Sequence, residues 1–260
     1  MILRNEHQSL LLDGESGVRL EGLYISGYEV NSLLGAESEL TGVICHSRSL
    51  GKRDVKIEGY ISEELEANRR ALGQICTQDG EFYLVDGDYM LALVLTSGIE
   101  ISYEKKFSTK LLKFTLYART TNPLWQATEE EGVPGISCGG NSTDERAIRL
   151  VNSGDAPVGF SLYLYIRIGA PNISFSKNGK YLTLTGLSLE TGDQLFIDTR
   201  RGKKSVNLIK KGTSTPISVL DKVLLGSTFF ELDVGDNKID YSLVDSVVTA
   251  TISFRPCYMR

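Results

Sequence analysis

The chain predicts a mainly β protein of two domains: an N-terminal β-rich domain with one short α-helix, followed by a C-terminal β-sandwich. Three observations carry that reading. Strand-like alternation recurs along most of the 260 residues. The last hundred residues are punctuated by turn clusters, among them Asn152-Ser153-Gly154-Asp155, Gly192-Asp193, Arg200-Arg201-Gly202 and Gly235-Asp236-Asn237. Only one segment has helical periodicity, and 260 residues suit two domains better than one sandwich.

The elements follow in chain order. Val55, Ile57 and Ile61 alternate with Lys56, Glu58 and Tyr60, which is a strand with one buried and one wet face. Ser62-Glu63-Glu64 then offers an N-cap and two carboxylates for a first helical turn. Leu65, Ala71, Leu72, Ile75 and Cys76 share one side at helical spacing, and Asp79-Gly80 supplies a stop. The expected helix spans residues 62–76 and covers a sheet; Gly73 weakens it by about 1 kcal/mol relative to Ala. Phe82-Tyr83-Leu84-Val85 returns as a strand. Leu112, Phe114, Leu116 and Ala118 mark the next, and Asn122-Pro123 ends it. Later strands are marked by Leu162, Leu164, Ile166 and Ile168, and by Val248, Ala250, Ile252 and Phe254.

Between the halves periodicity fails. Glu129-Glu130-Glu131-Gly132-Val133-Pro134-Gly135 is charged and broken, and Cys138-Gly139-Gly140-Asn141-Ser142-Thr143-Asp144-Glu145 is small and polar. The expected organisation is therefore a domain over 1–128, a linker or long loop over 129–146, and a sandwich over 147–260.

Composition excludes several function classes. A net charge of −5 argues against a dedicated nucleic-acid binder. The pairs Lys203-Lys204 and Lys210-Lys211 flank one strand and read as a solvated edge. Cys45, Cys76, Cys138 and Cys257 are far apart and form no CxxC pair, and with His7 and His46 the only histidines no zinc set emerges. The opening Met1-Ile2-Leu3-Arg4-Asn5-Glu6 reads as neither signal peptide nor membrane anchor, which points to free thiols in a reducing cytoplasm. Asn141-Ser142-Thr143 and Asn172-Ile173-Ser174 then carry no weight as glycosylation sequons.

No motif assembles a catalytic, cofactor or metal site. Gly135-Ile136-Ser137-Cys138-Gly139 matches G-x-S-x-G, but Val133-Pro134 before it and Gly140-Asn141 after it do not fit a strand-to-helix elbow. Both histidines lie upstream, where that fold needs one downstream, and Cys138 would need the same bases. Asp86-Gly87-Asp88 and Asp233-Val234-Gly235-Asp236-Asn237 lack EF-hand spacing and suit hairpin turns. Glycosidase chemistry needs two carboxylates across a cleft, and among 33 acidic residues the sequence marks out no pair. Tyr163 and Tyr165 share a strand face opposite Leu162 and Leu164; that face suits a sugar platform, the outer face of a sandwich or a subunit contact.

The second half resembles the distal tail proteins of non-contractile-tailed bacteriophages, the siphovirus tail-component family. The resemblance rests on Gly192-Asp193 leading into Ile197-Asp198-Thr199 and Gly202, on Ser227-Thr228-Phe229-Phe230-Glu231-Leu232 before Gly235-Asp236-Asn237, and on the closing Phe254-Arg255. The first half agrees in its strand–helix–strand order over residues 53–85. The resemblance implies an N-terminal domain that closes a homo-hexameric ring and a galectin-like C-terminal sandwich outside it. It implies a virion structural protein at the tail tip, assembled in the bacterial cytoplasm and without enzymatic activity. Its partners would be the tail tube protein, a hub or lysin protein of the tail tip, and a receptor-binding protein of the baseplate. DNA would cross the lumen without specific binding, and no membrane insertion is implied. The galectin likeness is one of fold: the sugar motif needs His-x-Asn-x-Arg and Trp-x-x-Glu, yet no histidine follows His46 and Trp125 precedes Gln126-Ala127-Thr128. The alternative is a carbohydrate-binding module that contacts the host surface.

Overall fold

The computed structural model describes residues 1–36, 43–78, 80–106, 109–139, 146–169, 172–243 and 247–260. Asp79 and the Asn141-Ser142-Thr143 triplet lie outside the described residues, as do the side chains of Cys45 and His46. The protein is mostly β, built from antiparallel sheets, and divides into two compact units, Met1–Thr128 with Arg260 and Glu129–Met259.

The first unit contains β1 (Ile2–Arg4), β2 (Ser9–Leu11), β3 (Val18–Ile25), β4 (Val30–Ala36), β5 (Val43–Leu50), β6 (Asp54–Ile61), helix α1 (Leu65–Thr77), β7 (Phe82–Asp86), β8 (Tyr89–Lys106), β9 (Thr109–Thr120) and β10 (Trp125–Ala127). Its main sheet runs β2-β1-β7-β8-β9-β6-β3, with β10 paired to the start of β8 and β4-β5 forming a separate hairpin. The alternation in β6 works as the sequence predicts: Val55, Ile57 and Ile61 are buried while Lys56, Glu58 and Tyr60 turn outward. Gly59 occupies the remaining inward position because no side chain fits. A Cβ there would lie 2.4 Å from the Arg19 carbonyl oxygen and 2.6 Å from the Phe114 ring.

Helix α1 packs on β2, β6 and β8 and buries Leu72, Ile75 and Cys76. Its start differs from expectation. The capping residue is Glu64, with φ of 44°, and no side chain caps the helix there. Ser62 is occupied instead by the β3 turn, since its amide donates to the Gly17 carbonyl at 2.8 Å. Asn68, one turn into the helix, ties the entry by donating to the carbonyls of Glu63 and Ser16.

The second unit contains β11 (Glu131–Gly139), β12 (Ala147–Asn152), β13 (Ser161–Ile168), β14 (Ile173–Lys177), β15 (Lys180–Leu184), β16 (Gln194–Asp198), β17 (Ser205–Ile209), β18 (Ile217–Ser218), a 3-10 turn (Leu220–Lys222), β19 (Gly235–Leu243), β20 (Val247–Phe254) and β21 (Cys257–Tyr258). One sheet runs β11-β20-β13-β16-β17-β18 and the other β12-β19-β14-β15. Both feed one core, in which Leu162, Leu164, Ile197 and Ile252 of the first sheet join Ile148, Phe175, Leu182 and Ile239 of the second. Two sheets sharing a core in this way are a sandwich.

Within the expected linker over 129–146, residues 131–139 form a strand instead, and residues 140–145 lie outside the described residues. Glu131–Gly139 is an edge strand paired along β20, from Glu131 opposite Phe254 to Gly139 opposite Val247. Its register shifts between Val133 and Ile136, so Pro134 and Gly135 sit in a bulge. Proline lacks an amide hydrogen and is accommodated at a bulge on an edge strand, which is why the strand has no clean period in the sequence.

Candidate functional site

The turn residues that carry the family resemblance prove to be locks between side chain and backbone. Asp193 is buried and accepts hydrogen bonds from the Lys210 ammonium at 2.8 Å and from the amides of Glu190 and Lys211 at 2.9 Å each. Burial pushes its carboxyl up, but those three donors together hold it below the ordinary carboxylate value. Lys210 is therefore an ion-pair partner and not a solvated edge residue. In Ile197-Asp198-Thr199 each side chain has a separate task. Ile197 enters the core, Asp198 grips Arg200 with both carboxylate oxygens, and the buried Thr199 hydroxyl bonds both backbone groups of Phe160. In the next signature Phe230 packs on Phe160 with ring centroids 5.7 Å apart, Glu231 pairs with Arg201, and Leu232 is buried. The Asn237 side chain closes its own turn through the Asp233 amide and the carbonyls of Asp233 and Gly235. The Asp233 carboxylate is engaged by Lys177 and Asn178, so this acidic cluster is a braced turn.

The other singled-out residues are equally structural. Ser137 lies in mid-strand opposite Thr249, with no strand-to-helix turn beneath it. Cys138 is buried, and burial pushes its thiol up to about 11; the Cys76 thiol is pushed up to about 12 in the same way. Such thiols are protonated and inert. Trp125 is buried and covered by the Arg260 guanidinium, 5.4 Å from the ring centroid, so it offers no open stacking platform. No group of three or more His, Cys, Asp or Glu among the described residues is placed to hold a metal ion. No helix among the described residues is long and apolar enough to cross a membrane.

What remains are the outward sheet faces, and they differ in chemistry. On the first unit, Lys56 pairs with Glu58 at 2.9 Å, Arg119 with Asp54 at 2.8 Å and Lys113 with Glu21 at 3.6 Å. Lys56 also lies over the Tyr117 ring and Lys113 over the Tyr60 ring. This is a charged, self-compensated face. On the larger sheet of the second unit, register places three rows of side chains outward. One row runs Thr251, Tyr163, Phe196, Asn207 and Ser218. Beside it lie Ser253, Ser161, Asp198 and Ser205, and on its other side Thr249, Tyr165, Gln194 and Ile209. Asp198 is the sole ionised residue of these rows and is paired with Arg200, while Arg167 borders them and donates to the Thr249 hydroxyl at 2.7 Å. Tyr163 and Tyr165 thus share a face, as their spacing predicts, and Tyr163 meets the Phe196 ring at 4.9 Å. Phe196, which the sequence reading missed, is paired to Tyr163 by strand register alone. The rows border a surface groove of about 490 Å³.

The comparisons with known proteins agree with this picture. Residues 153–258 match the family model of the siphovirus-type tail component, C-terminal domain. No curated protein matches the chain by sequence. Among solved structures, the Dit protein of phage SPP1, described as a paradigm of the hub adsorption apparatus of phages infecting Gram-positive bacteria, is similar over 99% of both chains, with a TM-score of 0.67 and 11% identity. A chain of the phage P2 baseplate in its activated conformation with calcium is similar over 98% of this chain and 96% of that one, with a TM-score of 0.60 and 10% identity. The strontium form of that baseplate gives a TM-score of 0.58 at 8% identity. The whole chain therefore has a Dit-like fold, and its residues 153–258 match the siphovirus-type tail component, C-terminal domain.

Proposed function

We propose that this protein is a structural distal tail component of a siphophage or prophage. In this reading the first unit assembles head to tail into a closed ring of about six copies, since heterologous contacts that close generate cyclic symmetry. The ring joins the tail tube to the tip or baseplate proteins, and the second unit, a galectin-like sandwich, lies outside it to receive a receptor-binding protein. The chain performs no catalytic step. The observation that carries the reading is the tail-component match over residues 153–258 together with a Dit-like fold over the full chain. Two further features support it. The signature residues are spent on braced turns rather than on chemistry, and the lysines of the charged face are matched by carboxylates. A face so compensated, on a chain of net charge −5, lets DNA pass without holding it.

The test is the solution mass of the full-length chain by light scattering, with negative-stain images of the same fraction. Open rings with a mass near six times 28.6 kDa are expected. Deleting residues 1–128 is expected to abolish assembly and leave a soluble sandwich. Rings formed equally well by the remaining half would overturn the assignment of ring contacts to the first unit.

A further inference from the structure

The neutral face of the larger sandwich sheet has a composition that its place in the fold does not require. A wet outer strand face is ordinarily filled with Lys, Glu and Arg, as on the first unit, because charge keeps it solvated and unpaired. Here the groove of about 490 Å³ has Tyr163 and Phe196 among its lining with Ser161, Ser253, Thr251 and Asn207, and it is completed by the apolar Ile209 and Pro216 and by the paired Asp198 and Arg200. We propose that this groove binds a neutral saccharide.

Three observations carry the proposal. The first is the aromatic pair. Tyr163 and Phe196 meet at 47° and Phe196 is 38% exposed, so its ring presents a surface to the groove. The electron-rich face of such a ring attracts the polarised C–H face of a pyranose. The second is the polar lining. Hydroxyls and amides both donate and accept, as sugar hydroxyls do. The Asn207 amide and the Tyr163 hydroxyl make no hydrogen bond within the described residues, so both have capacity to spare. Ser161 and Ser253, by contrast, share a hydrogen bond of 2.8 Å that holds that edge of the groove in place. The third is charge. Asp198 is held by Arg200 in a pair of 2.6 Å, which leaves the groove suited to an uncharged ligand rather than to a phosphate or a carboxylate. The volume falls in the range of small-ligand sites, about 300–1,000 Å³. The proposal rests on the chemistry of this face and is independent of the ring reading.

The experiment titrates the full-length protein with neutral oligosaccharides of glucose, galactose, N-acetylglucosamine and rhamnose, followed by saturation-transfer NMR and calorimetry. Saturable binding to at least one probe is expected, with a dissociation constant of about 1 mM or tighter. Phe196→Ala should weaken it at least about tenfold. Asn207→Ala should also weaken it, and it leaves both rings in place should Phe196→Ala fail to fold. Tyr24→Ala, which removes a 64% exposed ring from the charged face of the first unit, should leave binding unchanged. Absence of binding to every probe at about 10 mM overturns the proposal, as does binding that survives both groove variants. Loss of a purified tail protein's binding in the groove variants, without any sugar binding, would make the face a protein-docking surface and also overturn it.

Discussion

Both units bury polar side chains that bond backbone groups, Asn5 and Thr120 in the first and Asn152, Asp193, Thr199 and Asn237 in the second, but only in the second do these residues fall in the turn clusters of the sequence signature. Each of these four in the second unit is shielded from water and bonds backbone groups of a connection between strands. The outer sheet face of the first unit is made instead of charges paired in the open, as Lys56–Glu58 and Arg119–Asp54. A buried polar side chain must be the right type at the right place, because an unsatisfied partner costs about 1–3 kcal/mol. An exposed pair tolerates exchange because water replaces either partner. The difference between a buried lock and an open pair teaches why the turn residues of 153–258 are the ones a sequence pattern can retain. They are those on which the backbone of the turns depends.

The largest expected effect tests whether the first unit depends on steric fit instead. Gly59→Ala places a methyl group against the Arg19 carbonyl and the Phe114 ring, in a strand paired on both sides. A loss of about 3 kcal/mol or more is expected. Trp125 is the only tryptophan and lies buried in that unit, so its fluorescence during urea unfolding reads the change directly. A variant with wild-type stability would show that the strand crossing is looser than the geometry implies.

Next comes the lock at Asp193. Asp193→Ala strands the amides of Glu190 and Lys211 and frees the Lys210 ammonium, at a cost of roughly 2–3 kcal/mol. The carboxyl is held below its ordinary value in the folded state, so the unfolded chain binds this proton more tightly. The stabilisation is therefore complete above the ordinary carboxylate value and is lost as the pH falls through the folded one, below about pH 4. Urea midpoints by circular dichroism at pH 7 and pH 3 should show the gap between wild type and variant narrowing in acid. A gap that stays constant would mean the carboxylate charge contributes nothing to the lock.

A smaller change of opposite sign is expected at Gly73. Among the described residues, no atom beyond the neighbouring residues and the helix's own backbone lies within 4 Å of where its Cβ would stand, and the residue sits inside α1. Gly73→Ala should stabilise the first unit by about 0.5–1 kcal/mol, read again through Trp125. Destabilisation would mean that the added methyl group meets a neighbour and that the position is less open than the geometry implies.

Legibility in the sequence follows the same division. The strands around Val55, Leu112, Leu162 and Val248 were readable because a two-residue period survives wherever one face is buried and the other wet. The lock residues were readable as turn signals, although their burial was not. Strand β11 was hidden because its bulge holds Pro134 and Gly135, whose chemistry is that of a loop. The helix start was misplaced because Ser62 has the right chemistry for a cap but is already bonded to Gly17. Tyr163 and Tyr165 could be assigned to one face from a single strand, but Phe196 joins them only through register with another, which no local pattern encodes.

The smallest expected effect is the one that most directly decides the comparison. Lys56 is held by Glu58 at 2.9 Å, an ion pair about as short as that between Lys210 and Asp193, and lies 5.8 Å from the Tyr117 ring centroid. The Glu58 carboxylate raises the lysine's affinity for its proton, which marks a real interaction. Yet all of these groups are in reach of water, and water and salt compensate for either partner once the other is gone. Lys56→Ala should therefore leave the urea midpoint unchanged within error, at low and high salt alike. A shift comparable to that of Asp193→Ala would break the argument, because contact geometry rather than burial would then set which polar residues the fold requires.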